Sequence, residues 1–572
     1  MHKLGPYAAL SYCWGPPEHA NKQLKLSTHN LAIFRSHISS ELLSPVQRDA
    51  ITVCRTLGIR YLWIDSLCII QNDKADWEEQ SEQMANIFAG SSLTICSLAS
   101  SSCMEGFLTP RAEPVKFKYT SITNSQICGL ISLRPVPEPQ SSGARSVRAY
   151  ETPWTQDLKV SLWATRGWVL QERVLSRRKL YFGDSMIHVQ DGDTVYSENG
   201  FSDSCQTELV LSLGKSGRIL TLTPSNNGTR GIRKNEAYEI WHSIVTETTG
   251  LKWTNAPDLF PGLSGLASII QETTGDKYVA GHWVGDLACS LIWNTTSNPY
   301  YSKNLRELTQ LLQQGNAQNA PSWSWASRQD FHGFYVTVDR NNWATFCRRR
   351  THLRLDVQLI DACAFVDGLN PFGKLNNTPS FLLLSGRMLH FNSDLCSQKW
   401  EDPYRFITYV WLYTAAPGMT LCIGCDWGHS HKRENTPKTL KGLGIQPNEL
   451  GHLRLLLLSS CCSTDMDEKE LGSVNWLADV NFRSCPEWFC HASRPGYFDT
   501  FLNDPDHQDG DGTCSYCEDR ARPRDIYGLL LYPVNPGSEE NKYYKVGVFW
   551  SRFQQGGWEL FQGVEEQKVK LV

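Results

Sequence analysis

The residues best placed for chemistry are few and come from three separated stretches of the chain. Glu172 follows Trp168 by four residues, so on a helix the two share a face. Such a glutamate is either a surface group paired with Arg173 or Arg177, or a carboxylate in a cleft. Asp65 closes the apolar run at 59–64. A carboxylate there either faces a ligand, as the carboxyl ends of strands do in parallel α/β sheets, or caps the turn at 66–68. Trp14 and Gly15 end the apolar run at 7–12 in the same way. Gly15 would allow close backbone approach to a ligand, whereas Trp14 would serve equally as a lid on the core. Arg166 suits a phosphate or an ion pair with Asp65, and Gln71 suits a ligand or the backbone of its own loop. Cys68 has no neighbouring histidine to make a thiolate nucleophile, and a free cysteine is usually packing. Cys514 and Cys517, taken with Cys485, Cys490 and His491, have some zinc-ligand character. The internal spacing of the second pair and the long loop between argue against it, so no metal site is expected. The chain has no Walker-type glycine-rich loop and no Gly-x-Ser-x-Gly elbow.

These residues need elements to hold them. The run at 7–12 reads as a buried strand. Ser44-Pro45 is a strong helix start, with serine as the N-cap and proline at the first position. Val46, Ala50, Val53 and Leu57 then form one apolar stripe, Gly58 stops the helix, and 59–64 is the next strand. The unit repeats. Asp76 and Glu79 fit a capping box, Trp77, Met84, Ile87 and Phe88 line one helix face, Gly90 stops it, and 93–98 is a third strand. Segment 109–160 is rich in Pro, Ser and Gly and reads as a loop-rich insertion. Helical spacing returns at 168–175, before a strand at 179–182. The alternation predicts a parallel sheet flanked by helices, an α/β domain over 7–185. Ala237, Ile240, Trp241, Ile244 and Val245 form a helical stripe, and 264–273 reads as another helix, so 186–330 is expected to be a mainly helical extension. Apolar runs at 381–384, 453–458, 526–531 and 544–550, separated by turns, predict a mainly β module over 331–572.

Composition narrows the class. With 41% hydrophobic and 20% charged residues, the chain of 572 residues is expected to fold rather than stay disordered. A net charge of -4 gives no electrostatic reason to expect a nucleic-acid partner, and the one basic run, Arg348-Arg349-Arg350, is short. No apolar stretch is long enough to span a bilayer, and the first fifteen residues do not form a signal peptide. Nineteen scattered cysteines then read as reduced thiols in a cytoplasmic protein.

Three segments, YAALSYCWG (7–15), YLWIDSLCIIQND (61–73) and TRGWVLQERVLS (165–176), resemble the fungal heterokaryon-incompatibility (HET) domain family in type and order. The likeness extends through DLFPGLSGLA (258–267), YVAGHWVGDLACSLIW (278–293) and APSWSWAS (320–327), and weakly to GLLLYPV (528–534). Two departures stand out. Family members usually carry a segment before the first motif, which here begins at Tyr7, and many carry a histidine where this chain has Tyr12. The resemblance implies a self/non-self recognition factor that triggers programmed cell death. HET domains in turn resemble, more distantly, Toll/interleukin-receptor (TIR) domains, which share the strand ending in a Ser-aromatic step and the Trp-to-Glu spacing seen here at Trp168 and Glu172. In NAD-cleaving TIR domains the equivalent glutamate is catalytic. That resemblance implies Glu172 as the catalytic candidate, with Trp14, Gly15, Asp65, Gln71, Arg166 and Trp168 as candidate ligand-binding residues. The implied reaction is that of an NAD glycohydrolase, with NAD as substrate and no cofactor. The alternative is a non-enzymatic module that acts by self-assembly or by binding a protein partner. The acidic residue at 172 favours the enzyme, because an adaptor would not require it.

Overall fold

The computed structural model describes residues 5–110, 113, 115–133, 152–192, 194–204, 234–296, 304–315, 319–328, 335–338, 353–368, 370–391, 409–413, 420–425, 447–462, 524–551 and 556–572. The arginine run at 348–350 and the cysteine and histidine group at 485–517 lie outside them.

The first sheet is built on β1 (Tyr7–Ser11), which lies between β2 (Tyr61–Trp63) and β3 (Leu93–Ser97), parallel to both. Helix α1 (Pro45–Thr56) connects β1 to β2, and α2 (Lys74–Gly90) connects β2 to β3. Ala8, Ala9 and Leu10 are all buried, as a central parallel strand covered on both faces requires. The two-residue period of the strand then sorts its side chains. Ala8 and Leu10 pack with Val46, Ala50 and Val53 of α1, while Ala9 packs with Met84 and Phe88 of α2 on the opposite face.

The ends of α1 are as expected. Ser44 and Gln47 make a reciprocal capping box with Pro45 in the first turn. At the other end Gly58 has φ 68°, and Ile59 N–H donates to Cys54 O while Gly58 N–H donates to Arg55 O, a Schellman stop. Helix α2 begins earlier than its sequence suggested. Asp73 is the N-cap, accepting from the Ala75 and Asp76 amides, and Asp76 instead accepts from Ile70 N–H. An aspartate three residues upstream reached the free amides first, so the expected Asp76–Glu79 box does not form.

The 109–160 segment holds more order than a loop-rich reading allows. It contains an antiparallel hairpin, β4 (Val115–Thr120) with β5 (Cys128–Leu133), separate from the main sheet, and helix α3 (Pro153–Val160) capped by Thr152. Next come α4 (Gly167–Leu175) and β6 (Arg178–Phe182), which pairs parallel with β3. The sheet does not stop at 185. Three antiparallel strands, β7 (Ile187–Asp191), β8 (Thr194–Ser197) and β9 (Ser202–Ser204), extend it to the order β2-β1-β3-β6-β7-β8-β9. Residues 187–204 therefore belong to the first sheet and not to a helical extension. They are short strands, and β7 and β8 alternate buried with more exposed residues, so no long apolar run signals them.

The middle region is dominated by α5 (Lys234–Thr249) and α6 (Ser264–Thr274). All five stripe residues, Ala237, Ile240, Trp241, Ile244 and Val245, are buried. The region docks on the same face of the first sheet as α2 and α4. Arg173 of α4 pairs with Glu247 of α5, and Gln171 accepts from Gly265 N–H of α6. A Cβ on Gly265 would lie 2.2 Å from Ala85 Cβ, so α6 rests directly on α2. Beyond it, the expected β module is a nine-stranded sheet that includes Phe381–His390, Arg454–Cys462, Arg524–Pro533 and Lys542–Ser551. One continuous core joins Ala9, Leu170 and Val174 to the middle helices and on to Leu382, Leu456 and Leu529 of that sheet. Among the described residues, no helix is long and apolar enough to cross a membrane.

Candidate functional site

Strand order places the site. The chain leaves β1 for β2 on one side and returns across it to β3 on the other, so the carboxyl ends of β1 and β3 flank a topological switch point, where crevices form in open α/β sheets. Ser11 is the last residue of β1 and, two positions after Ala9, faces α4. Its hydroxyl donates to Glu172 Oε2. The Trp163 indole N–H donates to Ser11 Oγ at 2.6 Å, which orients the serine proton toward the carboxylate. Glu172 is 7% exposed. It pairs with neither Arg173, which is engaged by Glu247, nor the exposed Arg177.

Burial dominates the acidity of Glu172 and raises its pKa to about 7. Arg166 and the Ser11 hydrogen bond pull it down, and the charge of Asp65 pushes it up. Cys13 and Cys96 also lie within electrostatic range, as thiols whose pKa burial raises. Asp65, at the head of the turn Asp65–Cys68, follows the same pattern. Its pKa is raised by burial and opposed by Arg166, the Ser66 amide and the Trp14 indole. Its Oδ2 accepts from Trp14 Nε1 at 2.8 Å and its Oδ1 from Ser66 N–H at 2.6 Å. Arg166 donates to Tyr12 O and its charge acts on both carboxyls, so it is the shared cation of the pair.

Glu172, Asp65, Trp14 and Arg166 thus come together at the carboxyl edge. The other expected residues take different roles. Gly15 has φ 82°, and a Cβ there would lie 2.3 Å from Ser102 Cβ, so its close approach is to the protein's own loop. Gln71 donates to Asp65 O and Ile69 O, which satisfies loop backbone while bracing Asp65. Trp168 turns toward the middle region, edge-on to Trp77 and Trp253, with Nε1 donating to Asp258 Oδ2 at 3.4 Å. Tyr12 is buried in a polar network with Gln23 and Ser66.

Ser11 and Trp163 were missed as site residues. The available signal was Ser11 itself, a polar residue ending the otherwise apolar strand YAALS. Lys25 was also missed, with Nζ 5.1 Å from the centroid of the Trp14 ring. Two other buried carboxylate–imidazole pairs, Asp157 with His188 at 2.9 Å and His242 with Asp286 at 2.6 Å, are sealed in packed interiors and read as structural polar networks.

A mixed sheet, parallel over β2-β1-β3-β6 and covered by helices on both faces, with Asp65, Arg166 and Glu172 gathered at its switch point, defines an α/β domain. Residues 7–172 match the family model described as Heterokaryon incompatibility protein (HET), and this part of the chain is a HET domain, which supports a heterokaryon-incompatibility role. The match ends on Glu172 itself. Compared with curated proteins and with solved structures, the chain matches none.

Proposed function

We propose that the protein is a cytoplasmic effector of self/non-self recognition whose HET domain triggers cell death by cleaving NAD, with Glu172 as the catalytic residue. The observation that carries this reading is the Ser11–Glu172–Arg166 arrangement at the switch point. In the proposed reaction the bond between ribose C1′ and the nicotinamide nitrogen breaks and its electron pair leaves with nicotinamide as a neutral group. The ribose is left as an oxocarbenium-like cation, and water adds to C1′ and loses a proton, giving ADP-ribose. A fixed carboxylate in a partly desolvated cleft stabilises that cation. Glu172 Oε1 takes no hydrogen bond from a described residue and is not among the sealed, unpartnered atoms, so one oxygen is left to meet a substrate. A group with a pKa of about 7 is also poised: arrival of the positively charged nicotinamide ring favours its ionised form. The spacing from Trp168 to Glu172, shared with NAD-cleaving TIR domains, supports the same assignment. The test is NAD level and cell viability on expression of the wild-type chain and of Glu172→Gln. The variant is expected to lose roughly 10²–10³ in rate and to spare both NAD and the cell.

One feature favours the alternative of assembly with copies or a protein partner. The β4–β5 hairpin stands off the main sheet with Val115, Phe117, Tyr119, Ile127 and Leu130 exposed. Exposed apolar side chains gathered on one small element mark interaction sites. If Glu172→Gln still kills while NAD stays intact in both proteins, assembly replaces catalysis as the mechanism.

A further inference from the structure

The family match ends at Glu172, yet the setting of Arg166 depends on residues well beyond it. Lys252 lies beside Arg166 as an isolated parallel β-bridge. Its N–H donates to Thr165 O at 2.7 Å, and its carbonyl accepts from Gly167 N–H at 2.8 Å. The backbone groups on both sides of Arg166 are therefore taken up by one strap, Leu251–Trp253, which follows α5.

Trp253 locks that strap. A Cβ built on Gly167 would lie 2.3 Å from its indole ring, and one on Gly262 would lie 2.4 Å from it. The ring thus fills the space beside two glycines, one in the first turn of the helix that carries Glu172 and the other in the middle region. Trp168 packs edge-on at 6.4 Å against it and donates to Asp258 just downstream. Neither glycine is needed for positive φ, since neither has one; each is small because the indole occupies the space a side chain would need. Upstream, Glu247 sits four residues before the strap and pairs with Arg173 of α4. The strap and α4 are therefore held to each other at both ends of α4.

We propose that the Leu251–Trp253 strap controls the HET-domain site, with Trp253 as a positioning residue that holds Arg166 beside Glu172 and Asp65. Seated, the strap fixes the guanidinium against the Tyr12 carbonyl. Released from its seat beside Gly167 and Gly262, it lets Arg166 leave while the Arg173–Glu247 pair stays in place, and the two carboxyls lose their common cation. The consequence for turnover rests on the NAD-cleavage reading, whereas the control of Arg166 does not.

The test uses the full chain with Trp253→Ala and Trp253→Phe. Arginine labelling by phenylglyoxal is followed by peptide mass spectrometry at Arg166, with Arg173 on the same helix as internal control. In Trp253→Ala, Arg166 is expected to label roughly tenfold faster, as local release without global unfolding requires, while Arg173 stays at its wild-type rate. Trp253→Phe, which keeps an aromatic ring beside Gly167, should restore slow labelling. Unchanged Arg166 labelling, or equal acceleration at Arg166 and Arg173, overturns the proposal. The pH dependence of NAD cleavage is the second readout. The charged groups facing Glu172 are Arg166 and Asp65, so loss of Arg166 moves the limb governed by Glu172 to higher pH, which simple destabilisation would not do. A lower rate with an unmoved limb also overturns strap control. A wild-type chain that leaves NAD intact rejects the cleavage reading and leaves the labelling result to decide the strap.

Discussion

Replacing Glu172 by glutamine should change stability in a way that depends on pH, and the size follows from the site. In the folded chain the Glu172 carboxyl has its pKa raised from 4.5 to about 7, chiefly by burial. The folded state therefore holds this proton more tightly than the unfolded state does. Its contribution to stability is fully present below about pH 4.5 and is lost as pH rises through 7. A shift of that size corresponds to roughly 3 kcal/mol between the two limits. Glutamine has nearly the same shape, can still accept from Ser11, and does not titrate. The variant should match the wild type within about 1 kcal/mol at pH 5. At pH 8 it should be more stable by about 2–3 kcal/mol. A surface glutamate would give no such gain, because substitutions away from buried features stay within about ±0.5 kcal/mol. Denaturant unfolding of both full-length proteins at pH 5, 6, 7 and 8, read by tryptophan fluorescence, measures the difference directly. If the two curves keep a constant separation across that range, Glu172 ionises in the folded chain as it does in the unfolded one. The buried carboxylate, and the catalytic poise argued from it, would then be wrong.

Two further substitutions probe the same edge of the sheet. Ser11→Ala removes the donor to Glu172 and the acceptor of the Trp163 indole, so it should cost about 1–3 kcal/mol in denaturant unfolding. It should also raise the Glu172 pKa above its wild-type value, seen as a shift of the stability–pH curve to higher pH; an unmoved curve would show that the serine does not tune the acid. Gly15→Ala forces a side chain into φ 82° and to within 2.3 Å of Ser102, and should cost about 2–4 kcal/mol in the same assay. A near-neutral result would mean that the Ser102 loop yields freely.

Local signals made the first three strands and their helices legible. The Ser44-Pro45 start and Gly58 appear in the structure as the sequence implied, and so do Val46, Ala50 and Val53 of the stripe, whereas Leu57, at the C-cap, is 52% exposed. The misses have a common cause. Asp76 fits a capping box by pattern, but Asp73 competes for the same free amides and lies closer to the turn. Strands β7 to β9 are short, and β7 and β8 alternate buried with more exposed residues, so they lack the apolar runs that mark buried parallel strands. At the site, Asp65 was nameable because a carboxylate stands out at the end of an apolar run, and Glu172 because the resemblance pointed to its spacing from Trp168. Their distances were not, because strand order and the direction of crossovers set them. The strap at 251–253 had no local signature at all. Gly167 and Gly262 are ordinary glycines in the sequence, and only the ring between them gives them meaning.

Taken together, the site and the strap imply that the unit matched by the family is smaller than the unit that works. Burial disfavours the ionised form of the Glu172 carboxyl, so its charge has to be met by neighbouring groups. The opposing interactions come from Ser11, which is local to the sheet, and from Arg166, whose backbone is tied to Lys252. The packing follows the same rule. Met84, Phe88, Leu170 and Val174 sit in one core that joins Ala9 of β1 to the middle helices, which cover the outer face of α2 and α4. Cutting the chain after Glu172 would therefore expose that face, remove β6 to β9 from the sheet and free the Thr165 and Gly167 backbone groups together. A site whose cation is fixed from outside its own domain can be switched from outside it.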